Sequence, residues 1–309
     1  MINRTLIRLK VVQILYAYFI RENNNADAAE KELAFSLTKA FDLYCYLLLL
    51  VVELKYFAQN RIDLRRSKLQ PTEADLNPNL RFVENKFLCQ LAANKQLDEY
   101  KNNLKRTWRD EEEFVRSLFD SIERSPIYAD YMALPESDYD TDRAFIRKLY
   151  KAFIVGNERL DELFEDQSLY WNDDKVIVDT FVLKTMKQFE EANGADQPLL
   201  AEFREEDDRV FAVRLIRQAI ANAPRYQALI DEHSKNWDKE RIAFMDRVIL
   251  VAALAEITTF PSIPLSVSFN EYIEISKFYS SPKSSSFING VLDGTVRALD
   301  ADGLLQKEG

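Results

Sequence analysis

The sequence predicts an all-α fold, on three observations: a shortage of glycine, apolar residues at helical spacing near the start, and a C-terminal segment that is apolar on every side. Only 6 of 309 residues are Gly, which disfavours hairpin-rich sheet. Leu6, Leu9, Val12, Ile14, Leu15, Tyr18 and Phe19 recur at helical spacing, so Thr5 to Arg21 is predicted as the first helix. Val248 to Leu254 is apolar all round, as in a helix at the centre of a bundle. Hydrophobic residues make up 47% and charged residues 30%, a balance that supplies both a core and a solvated surface.

The elements follow in order. Ala26 to Asn60 reads as one or two long helices, with the apolar run Leu43 to Val52 as a core segment. That run is about half the length a membrane span needs. Arg61 to Asn79, with Pro71 and Pro78, reads as a loop, and Leu80 to Phe119 as charged helix. Ser125-Pro126 and Leu134 to Thr141 are breaks, and a new helix is expected near Asp142. Arg241 to Phe260 is a helix ended by Pro261 and Pro264. Ser266 or Ser268 is expected to cap the next one, Ser268 and Glu271 having capping-box spacing. A turn at Ser280 to Lys283, with Pro282, precedes a last helix from Ser284 to Leu299. Asn289-Gly290 lies inside it, and a helical Gly suggests close approach of another backbone.

Shifting the chain by 66 residues lays Asp142–Trp171 on Asp208–Trp237 with nine identities in thirty positions. They include Phe145/Phe211, Leu149/Leu215, Arg159/Arg225, Leu163/Leu229 and the Trp171/Trp237 pair. This reads as a duplicated helical hairpin, set against chance similarity of amphipathic helices. Residues 142–190 are expected to pack as an additional helical unit against the C-terminal core (208–300), rather than forming a flexible linker or a detached domain, because an isolated hairpin gains too little to offset its ordering entropy.

Formal net charge is −10, which taken alone argues against a simple polyanion binder. The distribution qualifies that. Arg4, Arg8, Lys10 and Arg21 occur in the first 21 residues without an acid. Arg61, Arg65, Arg66 and Lys68 form a second basic cluster, and Lys101, Lys105, Arg106 and Arg109 a third. Each has a solvated face as its plainer reading. The single His233 removes most zinc sites and most imidazole acid–base chemistry. Neither GxGxxG nor GxxxxGK[ST] occurs, so no catalytic constellation, metal site or cofactor is expected. Two cysteines, Cys45 and Cys89, are read as structural thiols of a reducing, cytoplasmic compartment, and no signal peptide is read at the N-terminus.

Four C-terminal motifs carry a resemblance. They are Asn236-Trp237-Asp238 through Arg241 with Asp246-Arg247-Val248-Ile249-Leu250, then Ala255-Glu256-Ile257, then Ile263-Pro264 followed by Asn270-Glu271-Tyr272-Ile273-Glu274-Ile275-Ser276-Lys277, and last Ser286-Phe287-Ile288-Asn289-Gly290-Val291-Leu292-Asp293. With Arg8-Leu9-Lys10-Val11-Val12-Gln13-Ile14-Leu15-Tyr16 at the N-terminus, they make the chain similar to the NusB family. The resemblance implies a NusB-like helical bundle enlarged by additional helices. Residues 1–22 would be its basic first helix and 208–300 its C-terminal core, with 23–207 a helical insertion containing the partial repeat (142–171) and 301–309 a flexible tail. It implies a non-enzymatic transcription antitermination factor. Such a factor acts on ribosomal-RNA operons with a small-subunit ribosomal protein (NusE), bound to single-stranded boxA-like RNA in the RNA polymerase antitermination complex. The related ribosomal-RNA methyltransferases carry a Rossmann-like catalytic domain, and no such segment is present here. The alternative is a protein-interaction scaffold on the same fold with RNA binding weakened or lost.

By the same resemblance, RNA contacts fall to Arg4, Arg8, Lys10, Gln13, Lys283, Phe287 and Asn289, and partner contacts to Tyr16 and Glu256. Arginine suits phosphate neutralisation and stacking on splayed bases. The other readings are a core tyrosine for Tyr16, an exposed helix end for Glu256, a core residue for Phe287 and a backbone-satisfying amide for Asn289. Ser286 stands where the family has a basic residue beside its Phe, and Lys283 is the candidate to compensate.

Overall fold

The computed structural model describes residues 1–21, 25–203, 205–235, 243–281, 283–305 and 307. Among them are fifteen α-helices and no strand; the extended pairing is one isolated bridge, Ile2 to Phe203. In order the helices are α1 (Arg4–Ile20), α2 (Ala26–Arg66), α3 (Glu73–Leu76), α4 (Lys86–Ala92), α5 (Lys95–Asn102), α6 (Glu112–Glu123), α7 (Pro126–Met132) and α8 (Tyr139–Phe153). Then come α9 (Glu158–Gln167), α10 (Trp171–Gln188), α11 (Glu206–Ala221), α12 (Ala223–His233), α13 (Phe244–Thr259), α14 (Leu265–Tyr279) and α15 (Ser284–Ala301). The motif Asn236 to Arg241, Trp237 of the matched Trp pair and Pro282 lie outside the described residues.

The chain divides into two compact units, Met1–Thr38 with Glu202–Gly309, and Lys39–Ala201. In the first, α13 is the axis: Val248 to Ala255 is buried without a break, and α1, α11, α12, α14 and α15 all pack on it. The start of α2 belongs here because Ala29, Leu33 and Leu37 are buried while Arg217 pairs with Asp27 and Glu30. Ile2 N–H donates to the Glu202 carbonyl at 2.7 Å, stitching the N-terminus to the returning chain. The tail read as flexible is anchored at Lys307, whose Nζ donates to the carbonyls of Phe260 (2.9 Å) and Ile263 (2.8 Å).

In the second unit, Leu43 to Val52 of α2 is the buried centre. By length and apolarity α2 could cross a membrane, but most of its apolar stretch is buried among protein side chains. Tyr46 stacks on Trp108 (centroids 4.3 Å apart), whose Nε1 donates to the Tyr46 carbonyl at 2.7 Å. Phe164 and Trp171 complete this aromatic cluster. α2 runs six residues past the expected end at Asn60, because Arg61 lies over Phe57 and Phe119 and pairs with Asp120 and Glu123. Leu80 to Phe119, expected to be helical, holds α4, α5 and the start of α6, and asparagines cap the first two. Asn85 Oδ1 accepts from Leu88 N–H and Asn94 Oδ1 from Leu97 N–H.

Residues 142–190, expected to dock on residues 208–300, instead have packing partners among residues 39–141. Phe145 stacks on Tyr131 at 3.6 Å, Tyr44 and Thr185 share a hydrogen bond of 2.7 Å, and Trp171 Nε1 donates to the Lys39 carbonyl. The two segments of the repeat have the same helix order. α8, α9 and α10 are followed by α11, α12 and α13, and in each trio the first two helices pack on the third. Phe145/Phe211 and Leu149/Leu215 are buried in both, as are the acids Asp142 and Asp208 near the start. α10 lacks a clean apolar stripe because Lys175 and Asp179 are buried as a pair (2.9 Å), with the Tyr150 hydroxyl donating to Asp179 at 2.6 Å.

Three smaller expectations are corrected. Ser268 is not a cap: α14 starts at Leu265 behind Pro264, so Ser268 lies inside the helix and is buried. Cys45 is buried, but Cys89 is exposed on α4, its Sγ donating only to the Val83 carbonyl at 3.5 Å. Gly290 is exposed, and the close approach occurs one turn later, where a Cβ on Gly294 would stand 3.3 Å from Nδ1 of His233.

Candidate nucleic-acid interface

α1 begins after Asn3, whose side chain accepts from Leu6 N–H, and its apolar face packs on α11 and α13. That docking governs which polar residues of α1 reach solvent. Arg8 does not: its side chain is 3% exposed. Its Nε and Nη2 donate to both oxygens of Glu256 at 2.7 and 3.0 Å, and Nη1 lies 3.3 Å from Glu271. Burial lowers the Arg8 pKa, but the hydrogen bonds and charge of Glu256 outweigh it and hold the guanidinium above its ordinary value. Glu256, 0% exposed on α13, also accepts from the Ser268 hydroxyl (2.7 Å) and the Tyr272 hydroxyl (3.2 Å). Burial first, then the charge of Glu256, pushes the Tyr272 phenol well above its ordinary pKa. A bidentate arginine and two hydroxyls occupy this carboxylate, which is how a charge survives inside a bundle.

Two expectations of exposure fall here for one reason. Arg8 and Glu256 do not lie at the surface, because each offsets the desolvation of the other inside the core. Lys10 is also fully buried, and Phe287 is a core residue of α15. No local pattern signals the pairing, since its members are 248 positions apart.

The remaining candidates reach the surface. Arg4 is 40% exposed, stacked 5.1 Å over Phe211 and paired with the buried Asp208 at 3.3 Å. Further along α1, Gln13 Nε2 donates to the Tyr279 hydroxyl at 2.8 Å. Tyr16, 36% exposed, meets the exposed Phe244 edge-on at 5.3 Å. Next to Tyr279, the Ser280 hydroxyl donates to Asp246, which also accepts from Ser284 at 2.9 Å. Lys283, exposed, adjoins Ser284 at the N-cap of α15. Gln13, Tyr16 and Lys283 therefore lie around one junction, formed by α1, the start of α13, the end of α14 and the start of α15. No contact links Arg4 or the exposed Asn289 to this junction among the described residues. Phe244, Tyr279, Ser280 and Asp246 complete it and were missed. The available signal was an aromatic and an acid opening the most apolar helix of the chain, opposite a serine-rich turn.

The α15 N-terminus offers Ser284, Ser285 and Ser286 with no acid in its first turn. Its N–H groups and dipole favour an anion there, although the buried Asp246 already engages Ser280 and Ser284. Among the described residues, no group of His, Cys, Asp and Glu is arranged to hold a metal ion.

The sequence profile of the NusB family matches residues 179–297. A transcription antitermination protein NusB from Salinibacter ruber is 39% identical over 134 residues, 41% of this chain and 84% of the relative. The chain belongs to the NusB family. Relatives of the same name include those of Koribacter versatilis, 45% identical over 98 residues (32% of this chain, 67% of the relative), and Chloroherpeton thalassium, 38% over 99 (32% and 47%). No solved structure matches the chain. The NusB profile spans the whole of α11 to α14, most of α15 and the last ten residues of α10, so it includes Glu256 and Lys283 but not α1.

Proposed function

We propose that this NusB-family chain is a non-enzymatic, cytoplasmic RNA-binding antitermination factor. It would act on ribosomal-RNA operons by holding single-stranded boxA-like RNA together with the ribosomal protein NusE, within the RNA polymerase antitermination complex. The observation that carries the reading is the junction of α1 with α13, α14 and α15. It combines an exposed aromatic pair, Tyr16 and Phe244, with Lys283 at the N-terminus of α15, whose own first turn carries no acid and whose first serine is engaged by Asp246. Aromatic faces accept unstacked bases, and a helix N-terminus with an adjacent lysine accepts phosphate. Gln13 supplies an amide beside them, and Arg4 and Asn289 are the further exposed candidates for RNA.

The test is a fluorescence-anisotropy titration of labelled boxA-like RNA with the full chain, with and without NusE. Lys283→Glu and Tyr16→Ala should each weaken binding by about tenfold, one phosphate contact or one stacked base. Absence of binding at low salt even with NusE would refute the reading. A second reading has a specific observation behind it. With Arg8 and Lys10 buried, Arg4 is the one cation of the first eighteen residues left at the surface, so the fold could serve as a protein scaffold alone. NusE would then bind equally well to the parent chain and to Lys283→Glu, and no RNA would co-purify.

A further inference from the structure

The two basic clusters in the middle of the chain are not used by the α1–α15 junction, and the fold brings them together. The last turns of α2 and the turn of 3-10 helix at Trp108–Glu111 that leads into α6 line one open cavity of about 780 Å³. Arg61, Arg65 and Lys68 come from the first cluster, Arg109 from the second, and Arg116 from α6. Two carboxylates face them, Glu53 and Glu112. Glu112 is held by Arg116 at 2.7 Å, and burial raises the pKa of Glu53 against the opposing charges of Arg109 and Lys101. Residues 53–113 hold twelve Lys and Arg against eleven Asp and Glu, a near-even local balance in a chain whose net charge is −10.

These cations are unequally engaged. Arg61 is committed to Asp120 and Glu123, and Lys68 pairs with Asp75 at 3.1 Å. Arg65 and Arg109 are exposed, and neither makes an ion pair or a side-chain hydrogen bond among the described residues. The lining also includes Gln59, Asn60 and Leu64, which is 72% exposed, and the part-exposed Tyr56 has the ammonium groups of Lys55 and Lys101 at 5.6 and 5.7 Å from its ring centre. Guanidinium groups beside an aromatic flanked by lysines suit a ligand that alternates negative charge with flat rings. An acidic peptide would use the charge but not the ring. A duplex keeps its bases stacked inside and would offer these side chains phosphates alone, whereas a single strand offers a splayed base as well.

We propose that the groove between the C-terminal end of α2 and the start of α6 is a site for single-stranded RNA, with phosphates on Arg65 and Arg109 and a base stacked on Tyr56. Its residues are all different from those of the α1–α15 junction, so it does not depend on that reading.

The test uses the full chain and a labelled mixed-sequence single-stranded RNA of about ten nucleotides, titrated between about 50 and 200 mM salt. The double variant Arg65→Glu/Arg109→Glu should lower affinity at least tenfold. It should also flatten the slope of log K against log salt by about 1.4, two phosphates at about 0.7 each. Tyr56→Ala should lower affinity about fivefold or more with the slope unchanged. Both losses should persist in a Lys283→Glu background, which separates this site from the other. The substituted arginines are exposed and make no ion pair within salt-bridge distance among the described residues, so the far-UV CD melt should match that of the parent chain. Unchanged affinity and slope in the double variant would overturn the proposal. So would tighter binding of a labelled glutamate-rich peptide than of RNA at equal salt, or competition by a free mononucleotide equal to that by the oligomer.

Discussion

The pair Arg8–Glu256 makes a sharp test, because the structure assigns it to stability where the sequence suggested binding. Glu256→Gln keeps the shape but leaves the Arg8 charge buried, with only Glu271 at 3.3 Å, a residue still 28% exposed. Removing one member of a buried ion pair costs about 3–5 kcal/mol. At about 2–4 °C per kcal/mol for a unit of roughly 150 residues, the melting temperature should fall by about 6–20 °C. Arg8→Met should cost a similar amount, since Glu256 then keeps two hydroxyl donors and no cation. The double variant Arg8→Met/Glu256→Leu removes both charges. It strands the hydroxyls of Ser268 and Tyr272, at about 1–3 kcal/mol each. It should therefore lose about 2–6 kcal/mol, clearly less than the sum of the two single losses. Thermal melts followed by far-UV CD for the four proteins close the cycle. Single losses under about 1 kcal/mol, or strict additivity, would refute the buried pairing and return Arg8 to the surface. Arg297→Ala is the control: its pair with Asp293 is 79% and 51% exposed on the two sides and should change stability by less than about 1 kcal/mol.

Three further outcomes are expected. Gly294→Leu should destabilise by about 1–3 kcal/mol in the same melts, because even a Cβ there meets the His233 ring at 3.3 Å; a neutral result would mean that the ring moves aside. Stability should fall as pH rises from about 10 to 12, since burial raises the phenols of Tyr46, Tyr128 and Tyr139 to about 12. The folded state then holds protons the unfolded chain has released, so the contribution is complete below the unfolded pKa and lost through the folded one; melts flat across that window would contradict it. Ellman's reagent should label one thiol in the native chain and two after denaturation. Cys89 is exposed and Cys45 buried, and partial burial raises the Cys89 pKa, so even Cys89 should react more slowly than a free thiol.

The sequence by itself determined the elements and their class. Period and capping chemistry are local, so α1, α13 and α15 could be read within a few residues, and the motifs from Asp246 onward were legible as NusB-like before any geometry. The central role of α13 followed from Val248–Leu254 alone, since a helix apolar on all sides must be surrounded. Local signals also misled where tertiary contacts outweighed them. Ser268 has the spacing of a cap but serves Glu256, and the loop predicted from Arg61 is helix because Arg61 docks on α6. What only the tertiary structure decided was the fate of the charges. A cation on α1 is exposed or buried according to the neighbour that covers it, and Arg8 meets its partner 248 positions away. Arg65 and Arg109 are likewise far apart in the chain and line one groove. The energy of a charge depends on solvent access and on through-space partners, and neither quantity is periodic along a sequence.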